Sequence, residues 1–124
     1  MEKVNLDAAF DSFDERWAPR VAAELNGQAV KLAKVEGEFV FHSHADAAEL
    51  FLVRSGELTI EFRDEPDVHL GPGELLVVPA GVEHRPVADE VAEILLFEPS
   101  GTRNTGDTDD ELTSEATRLG AADT

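Results

Sequence analysis

The sequence predicts an all-β domain, and three observations carry that prediction. Between Arg20 and Phe97, short apolar runs recur between turn signals such as Asn26-Gly27, Ser55-Gly56 and Gly71-Pro72-Gly73. Leu58, Ile60 and Phe62 alternate with Glu57, Thr59, Glu61 and Arg63, the period of a strand with one wet face. Helical periodicity is confined to the two ends of the chain.

The first element is a helix expected over residues 5 to 17. Leu6, Ala9, Phe10, Phe13 and Trp17 form one apolar stripe, Asn5 is a plausible N-cap, and Pro19 forces Ala18 out of helical geometry. Such a stripe must dock on the protein's own sheet or on a partner. Strands are expected over Arg20 to Leu25 and Gln28 to Val35, joined by the hairpin turn Asn26-Gly27. After Gly37, a strand from Phe39 to His44 would place Phe39 and Phe41 on the face opposite His42 and His44. Glu49 to Val53, Leu58 to Phe62 and Val68 to Leu70 follow, with His69 pointing to the surface between two apolar neighbours that point away from it. Glu74 to Pro79 is a strand closed by a proline that cannot donate to a ladder, and a loop then delivers His84 at the start of another strand. Val91 to Phe97 is the last strand expected. Beyond Pro99, Thr108-Asp109-Asp110-Glu111 is a capping-box signature before Leu112, Ala116 and Leu119. A short helix there competes with an acidic solvated tail, since an isolated helix of that length is unstable undocked.

Length and charge bound the function. At 124 residues the chain is one domain in size. It divides into a helical segment (1–19), a strand-rich body (20–99) and an acidic C-terminal tail (100–124). There is no cysteine, which excludes disulfides, zinc-thiolate sites and cysteine nucleophiles. With 27 acidic against 10 basic residues the net charge is -17, so no counterion release is available to drive nucleic-acid binding. Lysine occurs only at positions 3, 31 and 34, and an acidic, lysine-poor surface resembles that of halophile proteins, in which salt screens self-repulsion. The N-terminal residues lack the apolar core of an export signal and no run is long enough to span a membrane, so a cytoplasmic protein is expected.

Chemistry concentrates in His42-Ser43-His44-Ala45-Asp46-Ala47-Ala48-Glu49. Two imidazoles at period two share a strand face, and a turn through Ala45 to Ala48 can return Glu49 beside them. His84 is the fourth candidate ligand. Imidazole and carboxylate together suit a borderline divalent ion: Fe, Mn, Ni, Zn or Co. Protons compete with metal for unperturbed histidines below about pH 6.5.

The same residues carry a family resemblance. His42-x-His44, Glu49 after four residues and Gly56 after six resemble the first cupin motif; Gly73, Pro79, Gly81 and His84 resemble the second. Two positions depart from the pattern. Four residues rather than five separate Gly37 from His42, and Ala88 stands where the second motif closes with Asn. Segments outside the motifs, around Trp17-Ala18-Pro19 and Asn104-Thr105-Gly106, are similar to small single-domain microbial cupins of the mannose-6-phosphate isomerase-like group. The resemblance implies a double-stranded β-helix, or jelly-roll, barrel with His42, His44, Glu49 and His84 converging on one metal. It further implies an enzyme acting on a small organic molecule as dioxygenase, isomerase or lyase, with Glu49 moving protons. The competing reading is a non-catalytic metal or small-ligand sensor module. The chain has no tyrosine, unlike the cupin epimerases and lyases that use one, and no arginine cluster in either motif to clamp a phosphate. Phe39, Phe41 and the Phe10, Phe13, Trp17 stripe exceed what one sheet face can hide, so a homodimer is expected.

Overall fold

The structure, a computed structural model, describes residues 1–120. One short helix and eight strands follow in order: α1 (Leu6–Asp11), β1 (Arg20–Leu25), β2 (Gln28–Glu38), β3 (Glu49–Ser55), β4 (Leu58–Phe62), β5 (Val68–Leu70), β6 (Leu75–Val78), β7 (His84–Pro99) and β8 (Thr117–Arg118). The chain folds as a jelly-roll barrel, and β7 closes it. One edge of this 16-residue strand pairs with β2, while the other pairs first with β4 and then with β3. Its sequence alternates buried and half-buried positions from His84 to Ala88, and again from Val91 to Pro99. The two separate strands expected at His84 and Val91 are therefore one. Between the sheets Val35, Phe51, Val53, Leu58, Ile60 and Ile94 form the interior, as the alternation requires.

The hairpin at Asn26-Gly27 is present, both residues adopting positive φ (52° and 76°) as a tight turn demands. Helix α1 is shorter than the stripe suggested. Asn5 caps it, its side chain accepting from the Ala8 N–H at 3.0 Å. Ser12 ends it by donating both its N–H and its hydroxyl to the Ala9 carbonyl, a local bond that competes with helix propagation. The stripe still docks, because Phe10 and Phe13 pack on Leu32 of β2, on the outer face of the barrel.

The segment 39–44 departs from the expected strand. Phe39 donates its N–H to Pro86, and His42 exchanges both backbone bonds with His84. Three residues on this side therefore span two on β7, a bulge that inverts the parity of the chain. Phe39 turns inward, is 5% exposed and stacks on Trp17 at 4.6 Å. Phe41 alone faces out, between the guanidinium groups of Arg63 and Arg85. Phe10, Phe13 and Phe39 are buried within the chain, which removes them as an argument for a dimer.

Residues 100–120 form neither a helix nor a solvated tail. Leu112 N–H bonds the Asp110 carboxylate and the Asp110 N–H bonds Thr113 Oγ1, so these groups make turns instead of a capping box. The segment crosses the barrel as a strap and adds β8 in parallel to β1. The last four residues of the expected acidic tail lie outside the described residues.

Candidate metal centre

The bulge and the two strand starts bring the four expected residues together. His42 is held by its backbone pair with His84, Glu49 opens β3, and His84 opens β7. His44 lies in the loop between, its carbonyl accepting from the Gly81 N–H at 2.9 Å. The four side chains are buried, and one ligand atom from each lies within 4.8 Å of all the others.

Two of the imidazoles are oriented by the same device. His42 Nδ1 lies 2.9 Å from the Val40 carbonyl oxygen, and His84 Nδ1 lies 2.9 Å from that of Val82. A carbonyl only accepts, so Nδ1 carries the proton in each ring and Nε2 presents its lone pair. His84 Nε2 is 3.3 Å and His44 Nε2 3.4 Å from Glu49 Oε1. His44 Nε2 is buried without a hydrogen-bond partner among the described residues. An orphaned polar nitrogen beside a buried carboxylate is costly when dry, and a divalent cation satisfies both at once. The donor set, three imidazoles and one carboxylate, fits a borderline transition metal and could hold one.

Electrostatics prepare these groups to bind. Burial, reinforced by the neighbouring His84, lowers the His42 pKa to about 4. Proton competition at His42 thus begins well below the value of about 6.5 expected of an exposed imidazole. Burial pushes Glu49 upward, but the facing His44 and His84 outweigh it and hold the carboxylate at about 2.

A second acid lies beside the first. Glu98 is 2% exposed, and burial, then the charge of Glu49, raise it to about 9 against the opposing pull of Lys31. Lys31, equally buried, reaches Glu98 at 3.5 Å and donates to the Thr102 carbonyl at 3.0 Å. Neither residue was expected at the site, though strand parity carries the signal. Lys31 shares its face with Ala33 and Val35, and Glu98 shares its face with Ile94 and Leu96. His69 is exposed and bonds Thr59 at 2.8 Å, as expected of a surface histidine.

Beside His42 and Glu49 opens a cavity of about 30 Å³, walled by Trp17, Phe39, Phe51, Ile94, Leu96 and Asn104 among others. Trp17 was expected on the helix; instead it is held at φ 59° by bonds from its N–H to Lys34 and from its indole N–H to Glu36, both 2.9 Å. Asn104 donates to the Trp17 carbonyl at 3.1 Å, tying this wall to the C-terminal strap.

A jelly-roll barrel with this ligand constellation defines the cupins, and the chain belongs to that family: the Cupin domain model matches residues 29–98. All four ligand candidates fall within the match. Among relatives, an uncharacterized protein from Bacillus subtilis (strain 168), YdbB, is 38% identical over 81 residues, covering 65% of this chain and 72% of its own. A cupin-2 domain containing protein from Shewanella frigidimarina is 49% identical over 77% of this chain and 93% of its own, with a TM-score of 0.75. Protein NMB1881 from Neisseria meningitidis is 27% identical over 80% of this chain and all of its own, with a TM-score of 0.73.

Proposed function

We propose that the protein binds one divalent transition metal through His42, His44, Glu49 and His84, and acts with it as an enzyme on a small organic molecule. The observation that carries this reading is the buried set of four donor atoms within 4.8 Å of one another. Four protein ligands leave one or two positions open on an ion that prefers five or six. When bound, the metal supplies Lewis acidity, and an open position for a carbonyl, a hydroxyl or oxygen. The chain supplies the rest. Val40 and Val82 fix two imidazoles, and Glu49 balances the metal's charge and is the proton-moving residue of the proposal. Trp17, Phe39 and Phe51 keep bulk water from the reacting centre and favour an apolar or mixed-polarity ligand over a phosphorylated sugar.

The second reading, a non-catalytic metal or small-ligand module, draws on the cavity itself. At about 30 Å³ it holds little more than a water molecule, so a larger substrate needs the wall to move. Elemental analysis of protein purified without oxygen, beside His42→Ala and His84→Ala, tests the common part of both readings. About one metal per chain in the wild type and loss in both variants is the expected result; equal content in all three sinks both.

The reading extends to partners and setting. Among the described residues no helix is long and apolar enough to cross a membrane. A charge of -17 disfavours nucleic acid and supports a salt-adapted protein, and a cytoplasmic setting belongs to the same proposal. A homodimer finds support in a different surface from the one expected. Leu75 and Val77, 57% and 50% exposed, adjoin Leu52 and Leu50 in register, and these adjoin Leu95 and Phe97. That outer face of β6, β3 and β7 is apolar and fits a second copy.

A further inference from the structure

The metal ligands divide by how they are held. His42 and His84 each donate from Nδ1 to the carbonyl two residues earlier. His44 has no such bond among the described residues, and it sits in a loop rather than on a strand. What packs against it is the C-terminal strap. The Asp107 N–H donates to the Ser43 carbonyl at 3.1 Å, between the two ligands of the His-x-His pair. Gly106 adopts φ +57°, and a methyl group at its α-carbon would collide with that carbonyl oxygen and come within 3.2 Å of His44 Nδ1. Only a residue without a side chain permits this approach. The strap is tied down beside Gly106. Thr105 is fully buried and shares a 2.7 Å bond with Thr113, while the Asn104 side chain joins Leu112, Ser114 and Trp17.

We infer that Gly106, through the close approach of the strap to Ser43 and His44, is a positioning residue that orients His44 for metal. The inference rests on the metal-binding reading above and adds to it a part of the chain beyond the family match at residues 29–98. The cupin barrel brings in two imidazoles with their own backbone anchors; the third is aimed by a segment that the barrel itself does not include.

Cobalt(II) titration followed by ligand-field absorption tests this with three full-length proteins: wild type, Gly106→Ala and Gly101→Ala. Gly101 has φ +85° and nothing within 4 Å of an added methyl, so it controls for backbone strain in the same strap. Gly106→Ala should bind cobalt at least about ten-fold more weakly, with altered bands, the usual size of a supporting-residue effect. Gly101→Ala should keep the wild-type affinity and spectrum, although the metal-free melting temperatures of both variants fall. Wild-type binding by Gly106→Ala, or an equal loss in Gly101→Ala, overturns the inference while leaving the metal site standing. A wild type that takes up no cobalt overturns both. Hydrogen exchange on the unsubstituted protein gives an answer even where Gly106→Ala does not fold. Cobalt should slow exchange of the Asp107 amide several-fold and leave the Ser100 amide, bonded to Gly27, unchanged. No slowing at Asp107 overturns the inference.

Discussion

Glu49 Oε1 lies 3.3 Å from His84 Nε2, although 35 positions separate the two residues in the chain. Both open a strand, yet no ladder joins them. Antiparallel pairing sets Leu50 at the start of β3 against Phe97 near the end of β7, while His84 pairs with Phe62 and His42, so the two buried side chains meet inside the barrel. The contact joins the carboxylate of one motif to the imidazole of the other. Replacing Glu49 by Gln keeps the volume and removes the charge. The variant should retain some metal, bind it about ten-fold or more weakly, and lose most turnover in any reaction the wild type catalyses. Cobalt titration with paired rate measurements checks this; undiminished turnover would remove Glu49 from catalysis.

Two buried groups give the metal-free protein opposing pH dependences. The His42 pKa falls from 6.5 to about 4 on folding, so its contribution to stability is complete above 6.5 and is lost as pH falls toward 4. Glu98 rises from 4.5 to about 9, so its contribution is complete below 4.5 and is lost as pH rises through 9. Glu98→Gln cannot ionise and should gain on the wild type steadily between those limits. Urea melts of chelator-treated protein at several pH values measure the difference. A constant offset between the two proteins would contradict the assignment.

Much of the site could be read before any coordinates, and the part that could not has a physical reason. Three of the chain's four histidines stand with Glu49 at ligand spacing, and β4 announces itself by period-two alternation. Phe39 was misplaced because one extra residue at a bulge inverts every later side chain, and a bulge has no composition of its own. Lys31 and Glu98 are residue types that ordinarily face water, and strand register puts them inside, Lys31 opposite Leu96 and Glu98 opposite Ala29. The strap was hidden for the opposite reason. Thr108 to Glu111 carry a local helix signal, but Asn104 and Asp107 donate to the carbonyls of Trp17 and Ser43, partners far away in the sequence that only the folded chain supplies.

Salt should stabilise the protein. A net charge of -17 on 124 residues opposes compaction, and molar salt shortens the screening length to about 3 Å. The melting temperature should climb between low and molar salt, and a salt-independent melt would remove the halophilic reading. Light scattering in molar salt should report a dimer, converted to monomer by Leu75→Lys, which puts a charge in the apolar face of β6. A wild-type monomer at micromolar concentration would contradict the dimer.

Trp17 is the only tryptophan and the chain has no tyrosine, so its emission reports on the metal cavity alone. The indole stacks on Phe39 at 4.6 Å, and Phe39 meets His42 edge-on at 5.4 Å. Cobalt bound at His42 should therefore quench the emission, and His42→Ala should abolish that quenching. Trp17→Ala removes a wall of a cavity of about 30 Å³, at a stability cost on the order of 3 kcal/mol. The wild-type cobalt bands should respond to azide, which is small and linear, and not to ring-sized ligands, for which a cavity of about 30 Å³ is too small. Trp17→Ala should respond to both. If wild type and variant respond alike to ring-sized ligands, Trp17 does not set the size of what reaches the metal, and the cavity opens by another route.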